Sequence, residues 1–106
     1  MPVFELRTYH PAEGKLDALL DRMRDYAIPI FGRHGITGIG YWVADERLIY
    51  IVSHASREAA KENWDAFRAD PEWKRVVAES EAKGGGKLVT RIDSVFMDAA
   101  DFSPIH

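Results

Sequence analysis

An α+β fold is what this sequence predicts, with one four-stranded antiparallel sheet and helices on one of its faces. Three observations predict it. β-rich and helical stretches follow one another as strand, helix, strand, strand, helix pair, strand. The two middle strands are separated by too few residues for a parallel crossover, so they pair as a hairpin. The length, 106 residues, suits one hydrophobic core and one domain, 1–106, with its core over 3–97 and a tail over 98–106.

The first strand is the run Val-Phe-Glu-Leu-Arg-Thr-Tyr at 3–9, where Val3, Glu5, Arg7 and Tyr9 share one face and Phe4, Leu6 and Thr8 the other. Pro11 and Gly14 break it. From Lys15, the apolar residues Leu16, Leu19, Leu20, Met23, Ala27 and Ile30 recur at helical spacing, with Asp17, Asp21, Arg22, Arg24 and Asp25 on the wet face. Pro29 has no N–H to donate and a ring that crowds the preceding turn, so it should kink this helix or convert its last turn. A hairpin follows, with Tyr41-Trp42-Val43 and Leu48-Ile49-Tyr50-Ile51-Val52 as its arms and Asp45-Glu46 in its loop. Gly38 and Gly40 stand two apart, so both are expected on one side of the sheet, clearing space for a large side chain or a ligand.

Ser56 is placed to cap a helix whose buried stripe is Ala60, Trp64 and Phe67. Asp70-Pro71 ends it and starts the next, on which Trp73, Val76, Val77 and Ser80 fall at i, i+3, i+4, i+7. Gly84-Gly85-Gly86 stops that helix, and 87–97 alternates as the last strand. This order, β-α-β-β-α-α-β, is that of the ferredoxin-like split βαβ arrangement. Each strand carries apolar residues on both faces, while helices cover only one. A second sheet is the simplest cover for the other, which predicts a homodimer, a dimeric α+β barrel.

Composition narrows the chemistry. With no cysteine there is no disulfide, thiolate nucleophile or cysteine-held metal. The net charge of −3, without any block of basic residues, argues against nucleic acid as partner. No apolar run is long enough for a membrane span, and no signal peptide is visible, so a cytoplasmic protein is expected. His10, His34, His54 and His106 are too far apart in sequence for a helical metal pair, and no metal or other cofactor is expected. Gly84-Gly85-Gly86-Lys87 leads into Leu88 and a strand rather than Ser or Thr and a helix, so it reads as a flexible loop and not a phosphate loop.

Glu5-Leu6-Arg7-Thr8-Tyr9 with Glu13-Gly14-Lys15, Pro29 before Arg33-His34-Gly35, Gly40-Tyr41-Trp42, and Asp70-Pro71-Glu72-Trp73 together resemble the NIPSNAP family over 3–97. The resemblance implies the ferredoxin-like fold and the dimer, and no established reaction. Relatives on the same fold include cofactor-independent monooxygenases and haem-degrading monooxygenases. The latter place an Asn on the first strand, a Trp on the second helix region and a His soon after. Trp64 is similar to that Trp, but Arg7 stands near the place of the Asn and no His lies between Ser56 and Phe96.

Two arrangements of the charged residues compete. Glu5 and Arg7 could form an ion network with Arg91 and Asp93 on the adjacent last strand. Alternatively Arg7 anchors an anionic ligand, with Tyr9 as a hydrogen-bonding wall. Trp42, Trp64 and Trp73 serve as core packing or as walls of a cleft between helices and sheet. The expectation is a homodimer that binds a small aromatic or acidic molecule in that cleft. Tyr9 and His34 are the proton-handling groups if there is catalysis, as a cofactor-independent oxygenase or isomerase. The rival expectation is a non-catalytic interaction or regulatory module.

Overall fold

The computed structural model describes residues 2–106. Its elements are β1 (Val3–Pro11), α1 (Leu16–Arg22), a π-helical turn (Met23–Ala27), α2 (Ile28–Arg33), β2 (Thr37–Ala44), β3 (Arg47–His54), α3 (Arg57–Ala69), α4 (Pro71–Gly84) and β4 (Val89–Met97). The sheet is antiparallel throughout, in the order β2-β3-β1-β4. β1 is thus central, with β3 on one side and β4 on the other. That is the ferredoxin-like topology expected from the element order.

Pro29 acts one turn earlier than expected. In a regular helix it would leave the carbonyl of Asp25 without a donor. The chain instead widens to a π turn, in which the Ile28 N–H donates to the Met23 carbonyl, five residues back. α2 then starts afresh with the proline in its first turn. Ser56 caps α3 as expected, its Oγ accepting from the Ala59 N–H at 3.0 Å. Asp70 ends α3 and caps α4 by accepting from the Glu72 N–H at 2.8 Å. Gly85, at φ 80°, supplies the left-handed residue that closes α4.

The helices cover one sheet face. Leu19, Met23, Ala27, Ile30 and Phe31 meet Tyr50, Val52 and Leu48 of β3 and Trp64 and Phe67 of α3 in one buried cluster. On the opposite face the register aligns Leu6 with Ile51 and Val95, and Trp42 with Ile49. Trp42 and Val95 there are 53% and 54% exposed. The chain after β4 folds back over one end of this face, where Ala99, Ala100 and 102–105 enclose a concavity together with Phe4, Ile39, Ile51 and Met97.

The two glycines of β2 do not share a side. Gly38 pairs with Val52 and Gly40 with Ile51, so Ile39 is an extra, bulged residue and the alternation slips by one. Gly38 therefore faces the helices and Gly40 the open face. Each glycine is filled by a ring of its own strand: a Cβ at Gly38 would collide with the Tyr41 phenol, and one at Gly40 with the Trp42 indole.

Candidate functional site

Because β1 is central and alternates, Glu5, Arg7 and Tyr9 all point to the helix-covered side, where they are 1%, 8% and 8% exposed. Charges so placed persist only if every polar atom is bonded. Here they are. Glu5 Oε1 accepts from His54 Nε2 at 2.9 Å and from Trp64 Nε1 at 2.7 Å. Glu5 Oε2 accepts from Arg7 Nη1 at 2.7 Å and from the Ser94 hydroxyl at 2.6 Å. Arg7 Nε donates to Tyr50 Oη at 3.1 Å, and Tyr50 Oη donates to Tyr9 Oη at 2.7 Å. The Asn63 amide donates to His54 Nδ1 and to the Gly35 carbonyl, both at 3.1 Å. This donor pattern places the His54 ring proton on Nε2, facing Glu5.

The electrostatics follow from these contacts. Burial alone would raise the Glu5 carboxyl, but donors from His54, Ser94, Trp64 and Arg7 outweigh it and hold the pKa at about 2. Burial opposes the Arg7 charge as well, yet Tyr9, Tyr50 and Glu5 around it raise its pKa above the ordinary value. The Trp64 ring lies 4.0 Å from the guanidinium and adds a cation–π contact. Tyr50 is pushed well up by burial and by Tyr9, so it remains a phenol. The network is a chain of hydrogen bonds from Asn63 to Tyr9. Ser94 is its exposed member, on a strip of β4 whose Ile92 and Phe96 are also exposed on the helix side.

Of the residues singled out from the sequence, Arg7, Tyr9 and Trp64 come together here. The others do not join them. His34 ends α2, and its Nε2 lies 2.7 Å from Asp70 Oδ2, so with Arg33 it ties that helix to the α3–α4 corner. His34 and then Arg33 hold the Asp70 carboxyl well below the usual range. Trp73 packs on Phe67 at 4.6 Å and over Arg22 at 5.3 Å. Trp42 lies on the open face, so the three tryptophans do not line one cleft. The ion network between Glu5, Arg7, Arg91 and Asp93 is also not formed: Asp93 pairs with His10 and Arg91, both at 2.9 Å, on the open face, while Glu5 and Arg7 bond each other on the covered one. Tyr50, His54, Asn63 and Ser94 were missed as site residues. Strand parity was the signal for two of them, since Tyr50 and His54 share the face of Leu48 and Val52.

Two concavities of the described residues lie apart from this network. One, of about 530 Å³, runs between α1 and α4 and is lined by Arg22, Tyr26, Val76, Ser80 and Lys83, among others. The other, of about 430 Å³, lies beneath the C-terminal tail on the open face. Neither is lined by Arg7 or Tyr9. Among the described residues no three His, Asp or Glu side chains are grouped to hold a metal ion, and no helix is long and apolar enough to cross a membrane.

This topology, with a polar network under the helices and apolar side chains on the opposite face, defines a ferredoxin-like α+β domain. The chain belongs to the NIPSNAP family, whose model matches residues 4–104. A NIPSNAP family protein from Agrobacterium tumefaciens superposes with a TM-score of 0.84 at 23% identity, covering 100% of both chains. A NIPSNAP domain protein from Burkholderia xenovorans gives 0.78 at 21% identity, over 96% of this chain and 98% of that one. A candidate antibiotic biosynthesis monooxygenase from Nitrosomonas europaea shares the fold with a TM-score of 0.65 at 10% identity, over 96% of this chain and 93% of that one. No curated protein matches the sequence significantly.

Proposed function

We propose that the protein is a cytosolic homodimer, closed sheet to sheet, in which each protomer binds a small aromatic or acidic molecule on its helix side. One observation carries the reading: the middle of the uncovered face is apolar, with Leu6, Ile49, Ile51, Trp42 and Val95 in register across all four strands. The buried polar and charged side chains, Glu5, Arg7, His54 and Arg22, lie on the other side, among the helices. An apolar face of this extent favours burial against a second copy, and a twofold contact presents each copy with the same surface. Ligand chemistry then belongs to the helix side. Light scattering at micromolar concentration tests the dimer, with twice the 12.0 kDa chain mass expected for the native protein. Ile51→Asp and Val95→Asp, which put charge on that face, are expected to shift the mass to one chain with helical content unchanged. A native mass of one chain at every concentration refutes the dimer.

A second reading rests on the hydrogen-bond chain itself. Tyr9, Tyr50, Arg7, Glu5 and His54 are linked at 2.7–3.1 Å, which is the reach proton transfer needs. A ligand seated against Ser94 would touch this network beside Glu5, and a cofactor-independent oxygenase or isomerase step would pass its proton through the Ser94 hydroxyl to the Glu5 carboxylate, without crossing the permanently charged Arg7 guanidinium. Oxygen uptake with phenolic substrates, lost in Ser94→Val, would support that reading.

A further inference from the structure

The protein buries two guanidinium groups, and they are treated differently. Arg7 faces a carboxylate at 2.7 Å. Arg22 is equally buried, at 8% exposure, and among the described residues no carboxylate stands within ion-pair distance of it. Among the described residues its guanidinium makes one hydrogen bond, from Nη1 to Ser80 Oγ at 3.1 Å, and the Ser80 hydroxyl donates in turn to the Val77 carbonyl. Nε is buried and has no partner. Trp73, with its ring 5.3 Å away, gives a cation–π contact that does not use the N–H groups. The vacant edge is thus the Nε–Nη2 side, the edge on which a carboxylate binds a guanidinium with two parallel hydrogen bonds.

Arg22 lines the groove between α1 and α4, whose volume, about 530 Å³, is that of a small-molecule site. Tyr26 and Val76 give it apolar walls. Its own carboxylates do not compete for Arg22: Asp21 and Asp25 are bonded to Arg24, and Glu79 faces Arg75. We propose that this groove binds the carboxylate of a small, partly apolar organic acid, held by the Nε–Nη2 edge of Arg22 with Tyr26 and Val76 against its body. The inference rests on the ligand-binding reading above and moves the acidic anchor from Arg7, which Glu5 already neutralises, to Arg22. Burial opposes the Arg22 charge more than distant Glu81 and Tyr9 support it, which is the condition an incoming anion relieves.

The test is calorimetric titration of the native protein with sodium benzoate at constant ionic strength, beside benzyl alcohol and inorganic phosphate. Side-chain NMR follows the arginine Nε–H signals. Benzoate is expected to bind saturably, to exceed benzyl alcohol by at least about tenfold, and to move the Arg22 Nε–H signal while leaving that of Arg7 in place; a charge-assisted pair is worth that ratio or more. Arg22→Lys, which keeps the charge and loses the fork, should weaken benzoate about tenfold or more. The NMR readout needs no variant, so it decides even if Arg22→Lys is unstable. Binding of any probe that moves the Arg7 signal and not that of Arg22 overturns this inference and leaves ligand binding standing. Absence of binding by all three probes overturns both.

Discussion

Glu5→Gln is the most informative single change, because one carboxylate collects four donors. The substitution keeps the shape and one acceptor. The other oxygen becomes an amide NH2 that faces Arg7 Nη1 and the Ser94 hydroxyl, so the guanidinium loses its counter-charge and meets a donor. Breaking a buried ion pair on one side costs about 3–5 kcal/mol, a large share of the roughly 5–15 kcal/mol that holds a domain folded. The pH dependence gives an independent check. Glu5 titrates at about 2 in the folded chain against 4.5 for an unperturbed carboxyl. A lowered folded pKa means its contribution is complete above pH 4.5 and is lost as pH falls from there through 2. That window is worth on the order of 3 kcal/mol. Urea unfolding at pH 7 and at several values down to pH 2 measures both, provided the slope with denaturant is unchanged. The gap between wild type and Glu5→Gln should be about 3 kcal/mol or more at pH 7 and should narrow steadily below pH 4.5. A gap under about 0.5 kcal/mol at pH 7, or one that does not change with pH, would refute the reading of the network as an ion pair that supports the fold.

Three smaller predictions follow from β2 and its turn. Tyr41 Oη is buried without a partner, so Tyr41→Phe should raise stability by about 1 kcal/mol in the same urea assay. Gly38→Ala should cost about 1–3 kcal/mol, since Tyr41 is stacked on Tyr50 and cannot yield. The β2–β3 turn holds Asp45 and Glu46 at φ 52° and 58°, where glycine and asparagine are at ease, so Asp45→Asn with Glu46→Gly should raise the thermal midpoint by several degrees.

The topology was legible because it depends on period and punctuation. Alternation over 3–9, the helical stripe from Leu16 to Ile30, and the Asp70-Pro71 corner each have one physical reading, and together they allow one sheet order. What was not legible depended on register. A single bulged residue, Ile39, separates Gly38 from Gly40, and nothing in Gly38-Ile39-Gly40 itself says which strand carries the extra residue. The site failed for a related reason. Glu5 and Arg7 were seen as a cross-strand pair with Arg91 and Asp93, but the β1–β4 pairing sets Arg7 opposite Ser94 and Thr8 opposite Asp93. The charges therefore fall on different faces. His54 and Asn63, which complete the network, meet only through the packing of α3 on β3, a contact that strand parity cannot foresee.

The two buried arginines make opposite predictions from the same substitution, which tests the difference between a group that holds the fold and one that waits for a ligand. Arg7→Met removes the cation that Glu5 faces and leaves a buried carboxylate short of one donor, so a loss of about 3–5 kcal/mol is expected. Arg22→Met removes a cation that has no counter-charge and an Nε with no acceptor, while keeping an apolar stem under Trp73. Replacing an unneutralised buried charge with a side chain of similar length should leave stability unchanged or raise it by about 1–2 kcal/mol. Retaining a residue that the fold would be better without is the mark of a stability cost carried for binding. Urea midpoints of the two variants, at equal denaturant slope, decide it. Should Arg22→Met fall as far as Arg7→Met, then Ser80 and Trp73 satisfy Arg22 on their own and the groove has no claim on an anion.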